Sequence, residues 1–276
     1  MQIFSKIYIG SNKQAFDLIF DTGSNWLWVN SRMCNNCNKE QPKFDERLST
    51  TFSTYDLVTD LHYGTGDVYG FNSIDQVCIK PDKCSNDFSF LTVFEQDGLD
   101  SLYASGIVGL SPGHGSVNDL FIQKLKSSGT IKQAVFSLMI ELQHDRSKMT
   151  FGGYDLLNMA ALGSKLVYLN IDQKVMKWWT LKLNHMTVRD PTGKIDFSKY
   201  EYGKDKKLIV DSGTSFLLMP RSDRQAFVKM IEDTTGSYCI DNSLPICSCK
   251  NLSNFPDLIF NVDGTEYLVP KEGYIV

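Results

Sequence analysis

No stretch of this 276-residue sequence is apolar for long enough to cross a bilayer: the longest runs, such as residues 134–140, fall far short of the roughly 20 residues that a spanning helix needs. No basic stripe is present either. The 28 Lys and Arg residues are scattered and outnumbered by 32 Asp and Glu, giving a formal net charge of −4 and excluding the positive footprint of a nucleic-acid binder. The four histidines stand among dissimilar neighbours without ligand spacing, so no metal site is expected. No Ser or Cys lies in a setting typical of an activated nucleophile. No long Pro/Gly/Ser linker divides the chain, and nothing at its start reads as a cleavable leader. What is there is an ordinary globular balance, 42% apolar and 22% charged, large enough for one big domain or two lobes.

Seven cysteines stand at 34, 37, 78, 84, 239, 247 and 249, and six of them form three close pairs across short polar loops. This favours local disulfides, Cys34–Cys37, Cys78–Cys84 and Cys239–Cys247, over zinc, and leaves Cys249 alone. Cys34-Asn-Asn-Cys37 sits in a polar loop, unlike a redox motif at a strand-to-helix junction. An Asn-Leu-Ser sequon at Asn251 fits the same oxidising compartment.

Short apolar segments cut by Gly, Asn, Asp and Ser fill most of the chain: "KIYIG", "AFDLIF", "LHYGTGDVYG", "FSFLTVF", "AVFSLMI", "KLVYL", "WWTLKL", "KLIV" and "DLIFNV". Their enrichment in β-branched and aromatic residues predicts an all-β protein. Two stretches predict short helices: residues 118–126, capped by Asn118 or Asp119, and residues 222–231, with Ser222 and Gln225 as a capping box.

One phrase occurs twice. "LIFDTGSNWLWV" (residues 18–29) returns as "LIVDSGTSFLLM" (residues 208–219), so the economical division is two lobes, 1–164 and 165–276, breaking in the polar patch after "TFGGYD". In each copy an apolar run delivers an Asp, Asp21 or Asp211, into a Gly turn flanked by hydroxyls: Thr22 and Ser24 around Gly23, Ser212 and Thr214 around Gly213. An isolated Asp-Ser/Thr-Gly triplet is usually only a turn; two copies in matching frames point to more. Facing each other, the two carboxyls would share one proton, because like charges at that distance do not both ionise cheaply. Such a dyad holds a water, with one carboxylate as general base and one carboxyl as proton donor.

These motifs resemble those of the pepsin-type aspartic peptidases, the group that includes cathepsin D and the plasmepsins, over essentially the whole chain. "IYIGSNKQAFDLIFDTGS" and "LWVNS" resemble the first strands and catalytic loop, "LHYGTGDVYG" the flap hairpin, and "GIVGLSP" the segment that supports the first loop. "WWTLKLNHMTV" and "FPDLIFNVDGTEYLVPKEGYIV" resemble second-lobe strands. The resemblance implies a bilobal pepsin-like fold with a few short helices, and Asp21 and Asp211 as the catalytic pair. It implies that Ser24 and Thr214 bond their outer oxygens, while Thr22 and Ser212 tie the two loops together. Tyr63 would cover the cleft, with Gly64, Thr65 and Gly66 meeting the peptide backbone and Trp28 donating to Tyr63. Trp26, Trp178 and Trp179 remain ordinary core aromatics.

Some positions depart from the family pattern. Ser11-Asn12-Lys13-Gln14 replaces Thr-Pro-Pro-Gln, and Ser105 stands where many relatives carry Asp. The family's second hydrophobic-hydrophobic-Gly segment has no counterpart before Val276, so the expectation is an incomplete second lobe, without leader or prosegment, and a Cys249 whose usual partner lies further on. The expected function is acid hydrolysis of extended polypeptides, without metal or cofactor, by a monomeric, pepstatin-sensitive hydrolase made as a zymogen. Its expected compartment is the secretory pathway: lysosome, acidic vacuole or extracellular space. The alternatives are a catalytically impaired peptide- or protein-binding homologue and, from the same pair of carboxylates, glycoside hydrolysis.

Overall fold

The computed structural model describes residues 2–113, 119–141, 147–156, 165–172, 174, 177–190, 200–241, 245–248 and 251–275. It is mostly β, in keeping with the all-β pepsin-like expectation. The chain forms two compact units. One holds Met1–Val167 with Met176–Trp179 and Asp211–Gly213, and the other holds Tyr168–Val175, Thr180–Val210 and Thr214–Val276.

The first unit is built on a seven-stranded sheet of β1 (Phe4–Ile9), β2 (Gln14–Asp21), β3 (Leu27–Asn30), β4 (Ser53–Tyr63), β5 (Gly66–Lys80), β6 (Lys83–Asp97) and β7 (Gly106–Gly109). Their order is β1-β2-β7-β3-β6-β5-β4, and β1 also pairs with β5, which curls the sheet towards closure. Successive side chains of a strand point to opposite faces. Phe16, Leu18 and Phe20 of β2 therefore join one apolar cluster with Leu27 and Val29, while Ile19 joins Trp26 and Trp28 in another. Burial on both faces is why the sequence here reads as an unbroken apolar run. Helix α1 (Phe121–Ser127) adds Phe121, Ile122 and Leu125 to the first cluster, and β8 (Phe136–Met139) pairs with β9 (Lys148–Phe151).

The second unit carries a smaller sheet in which β10 (Thr180–Arg189) pairs with β11 (Glu201–Tyr202), β12 (Lys206–Ile209) and β15 (Asp257–Val262), and β15 with β16 (Thr265–Val269). Asp263 and Gly264, both at positive φ, close the β15–β16 hairpin, as a two-residue Asp-Gly turn does. Helix α2 (Arg221–Thr235) buries Val228, Met230 and Ile231 beside Met186, Val188 and Leu258. β13 (Cys239–Asp241) pairs with β14 (Pro245–Cys247). Disulfides join Cys34 to Cys37, Cys78 to Cys84 and Cys239 to Cys247. Cys249 lies outside the described residues.

Three local expectations are corrected. Residues 165–169 ("KLVYL") form no strand; Leu166, Val167 and Tyr168 are exposed, so the β-prone composition has no partner strand among the described residues to act on. Asp119 does not cap α1, because its carboxylate accepts the Ser89 N–H at 2.8 Å and pairs with Lys124; Asn118 lies outside the described residues. The capping box at Ser222 and Gln225 is not formed either. Helix α2 begins one residue earlier, after Pro220, which places Ser222 inside its first turn. No helix among the described residues is long and apolar enough to cross a membrane.

Candidate active site

Asp21 is the last residue of β2, and the parallel pairing of β2 with β7 sets it opposite Gly109. The chain beyond β7 then stitches the Asp21 loop on both sides. Leu110 N–H donates to the Asp21 carbonyl at 2.7 Å, Gly109 N–H to the Trp26 carbonyl at 2.8 Å and Ser111 N–H to the Ser24 carbonyl at 2.8 Å. A Cβ at Gly109 would sit 2.5 Å from backbone atoms of Asn25 and Trp26, so this close approach requires glycine.

The segment Asp211–Gly213 packs into the same unit, and its bonds mirror those of the Asp21 turn. Gly23 N–H donates to Asp21 Oδ1 and Gly213 N–H to Asp211 Oδ1, each at 2.8 Å. Thr22 N–H donates to Ser212 Oγ at 3.1 Å, Ser212 N–H donates to Thr22 Oγ1 at 2.8 Å, and the Ser212 hydroxyl donates to the Phe20 carbonyl at 2.6 Å. Each glycine abuts the opposite carboxyl. A Cβ on Gly23 would lie 2.7 Å from the Asp211 carboxyl, and one on Gly213 would lie 2.2 Å from Asp21 Oδ1.

The two carboxyls therefore feel each other. The pKa of Asp21 is pushed up from 3.8 to about 6, first by burial and then by the charge of Asp211 and a hydrogen bond with it, against the opposing pull of the Ser24 hydroxyl and the Gly23 N–H. Ser24 Oγ is buried without a partner at good hydrogen-bonding geometry, so its pull on Asp21 is exerted by a nearby dipole more than by an aligned bond. A cradle of two Asp-hydroxyl-Gly turns, each glycine seated on the other's carboxyl, is the arrangement that the repeated phrase calls for.

A family model for eukaryotic aspartyl proteases matches residues 2–276. The chain belongs to this family. Among its curated relatives are chymosin of Callithrix jacchus, 28% identical over 278 residues, vacuolar protease A of Arthroderma otae, 27% over 282, and gastricsin of Homo sapiens, 26% over 281. Each match takes in 99% of this chain, and the chain spans 65 to 68% of the relatives' own length.

In this aspartyl protease homologue, β4 and β5 form a hairpin whose last pair is Tyr63 with Gly66, leaving Gly64 and Thr65 exposed at its tip. Trp28 Nε1–H donates to the Tyr63 hydroxyl at 2.8 Å. Burial of the phenol, with the nearby Asp21 charge, holds the Tyr63 pKa far above its usual value, so it stays a neutral donor. A side chain at Gly64 would meet nothing within 4 Å, whereas one at Gly66 would strike the Asp97 carbonyl. Thr214 falls in the second unit.

Two contacts to the Asp21 loop were not foreseen from the sequence. Trp178 Nε1–H donates to the Gly23 carbonyl at 3.0 Å, and Trp179 Nε1–H donates to the Leu110 carbonyl at 2.9 Å. Both indoles thus brace the Asp21 loop, directly or through the residue that bonds it, and Lys177 caps the Trp178 ring at 4.8 Å. These aromatics are more than core filling. The only local clue was the doublet of indoles, each of which needs an acceptor when packed.

No group of three or more His, Cys, Asp or Glu side chains among the described residues could hold a metal. A cavity of about 370 Å³ in the second unit is lined by Asn170, Asp172, Lys182, Asp205, Lys207 and Asp263 among others, with Lys207 and Asp172 paired at 2.8 Å. It shares no residue with the aspartate pair.

Proposed function

We propose that this chain hydrolyses peptide bonds of extended polypeptides at acidic pH, with Asp21 and Asp211 as the catalytic carboxyls. The observation that carries the reading is the reciprocal cradle: two matching turns, each with its Gly against the other's carboxyl, and one aspartate held protonated up to about pH 6. The two carboxyls share one proton. The ionised member of the pair takes a proton from a water held between the two, and that water attacks the substrate carbonyl while the protonated member donates to the carbonyl oxygen. The product is a tetrahedral diol without a covalent enzyme intermediate; return of a proton to the amide nitrogen lets the C–N bond break.

In this scheme Thr22, Gly23, Ser24, Ser212, Gly213 and Thr214 hold the carboxyls in place. Tyr63, backed by Trp28, closes over substrate with Gly64 and Thr65. The division into lobes 1–164 and 165–276, each donating one aspartate, belongs to the same reading. No metal or cofactor takes part, the chain acts as a monomer, and pepstatin-like molecules inhibit it. Its zymogen and its acidic compartment, reached through the secretory pathway, are compatible with the three disulfides.

A second reading, a catalytically impaired homologue that binds peptides, draws on one observation: Val210, Phe216, Leu217 and Leu218, which flank the second aspartate turn, are all exposed. Turnover of an unfolded protein substrate across pH, with and without pepstatin, separates the two. Activity that falls as pH rises through about 6 and is lost with pepstatin is expected. Pepstatin-resistant activity at neutral pH would sink the proposal, and pepstatin binding without turnover at any pH would favour the impaired homologue.

A further inference from the structure

We propose that Asn251 is a site of N-linked glycosylation. Asn251-Leu252-Ser253 is the one Asn-x-Ser/Thr sequence in the chain, and all three residues are exposed. Its side chains form a local turn. Asn251 Oδ1 accepts both the Ser253 N–H at 3.0 Å and the Ser253 hydroxyl at 2.8 Å. Those two bonds engage only the amide oxygen, and Nδ2 makes no hydrogen bond among the described residues. Leu252, between the two, is exposed and presents no proline to block the turn.

The co-reactant is an oligosaccharide carried on a lipid pyrophosphate. Nδ2 bonds to its anomeric carbon as the anomeric C–O bond breaks, the lipid pyrophosphate leaves with that electron pair, and one Nδ2 proton passes to a base of the transferase. The primary amide becomes a secondary one and its carbonyl is untouched, so Oδ1 keeps both acceptor bonds and the turn survives the modification. Phe255 and Asp257, a few residues on, are buried, so the local fold anchors the turn while its outer face stays open to a bulky sugar.

This inference rests on the secretory route proposed above but not on catalysis. The test is peptide mapping of the full chain purified from the cells that make it, before and after peptide-N-glycosidase, with the cysteine redox state read in parallel. A sugar on the Asn251 peptide, and conversion of Asn251 to Asp by the glycosidase, are expected. Asn251→Asp, which preserves the Oδ1 acceptor, and Ser253→Ala should each lose the sugar on that peptide, while Ser253→Thr should keep it. A bare Asn251 in a chain whose six paired cysteines are oxidised overturns the glycan alone. Bare Asn251 with reduced cysteines overturns the secretory route as well, and pepstatin-sensitive turnover remains a separate measurement of the catalytic reading.

Discussion

Residues 18–29 and 208–219 are spelled almost alike, yet they live in different surroundings. In the first, Leu18, Phe20, Leu27, Trp28 and Val29 are all at most 1% exposed, because β2 has β1 on one side and β7 on the other, and β3 returns against β7. In the second, β12 pairs only with β10 among the described residues, no strand follows the turn, and Leu218 is 79% exposed. The four residues of β7 make the difference. They supply both a hydrogen-bonded neighbour and the Gly109 contact that fixes the Asp21 loop. An apolar sequence earns burial only when the topology brings something to bury it against.

Several measurements would break or sharpen this contrast. The largest effect is expected where the two regions are proposed to act as equals: Asp21→Asn and Asp211→Asn should each cut kcat by about 10³-fold or more, since either change removes one half of the proposed acid–base pair. A residual activity near wild type in Asp211→Asn would mean that the exposed copy is a bystander. Stability should then separate them. Phe20→Ala is expected to cost about 3–5 kcal/mol in chemical denaturation, whereas Leu218→Ala should stay within about 0.5 kcal/mol. Equal costs would show that the second phrase is buried in solution.

The next effect is read against pH. Folded Asp21 stays protonated to about 6, whereas an unfolded Asp ionises near 3.8, so between these values the folded chain holds more protons than the unfolded one. Stability therefore falls as pH rises from 3.8 through about 6, by up to about 3 kcal/mol in all, and is unpenalised below that window. Asp21→Asn should flatten that part of the stability profile; an unchanged slope would remove the buried, proton-holding Asp21. The smallest effect is expected from Trp178→Phe, which deletes the N–H donated to Gly23 while keeping most of the ring. About 1 kcal/mol of stability should go, with a several-fold fall in kcat at nearly constant KM. A change in KM alone would assign Trp178 to substrate contact instead of loop support.

Much of this was legible in the chain itself. The duplicated Asp-hydroxyl-Gly turn, the alternation that sends Phe16, Leu18 and Phe20 to one face and Ile19 to the other, and the hairpin around Tyr63 are local patterns, fixed by glycine's freedom and the two-residue repeat of a strand. The helix caps were misread for a local reason too: Asp119 found a better donor in Ser89, and Pro220 started α2 early. Long-range choices were beyond the sequence. Nothing in "KWWT" says that Trp178 reaches a carbonyl 155 positions away, because a hydrogen bond depends on where two segments meet and not on what surrounds each in sequence. The sequence by itself therefore determined the family, the two aspartates and the strands that carry them. The tertiary structure alone decided which copy is buried, which indoles brace the loop and how far the proton affinity of Asp21 is raised, since desolvation and contact are set by neighbours that only folding assembles.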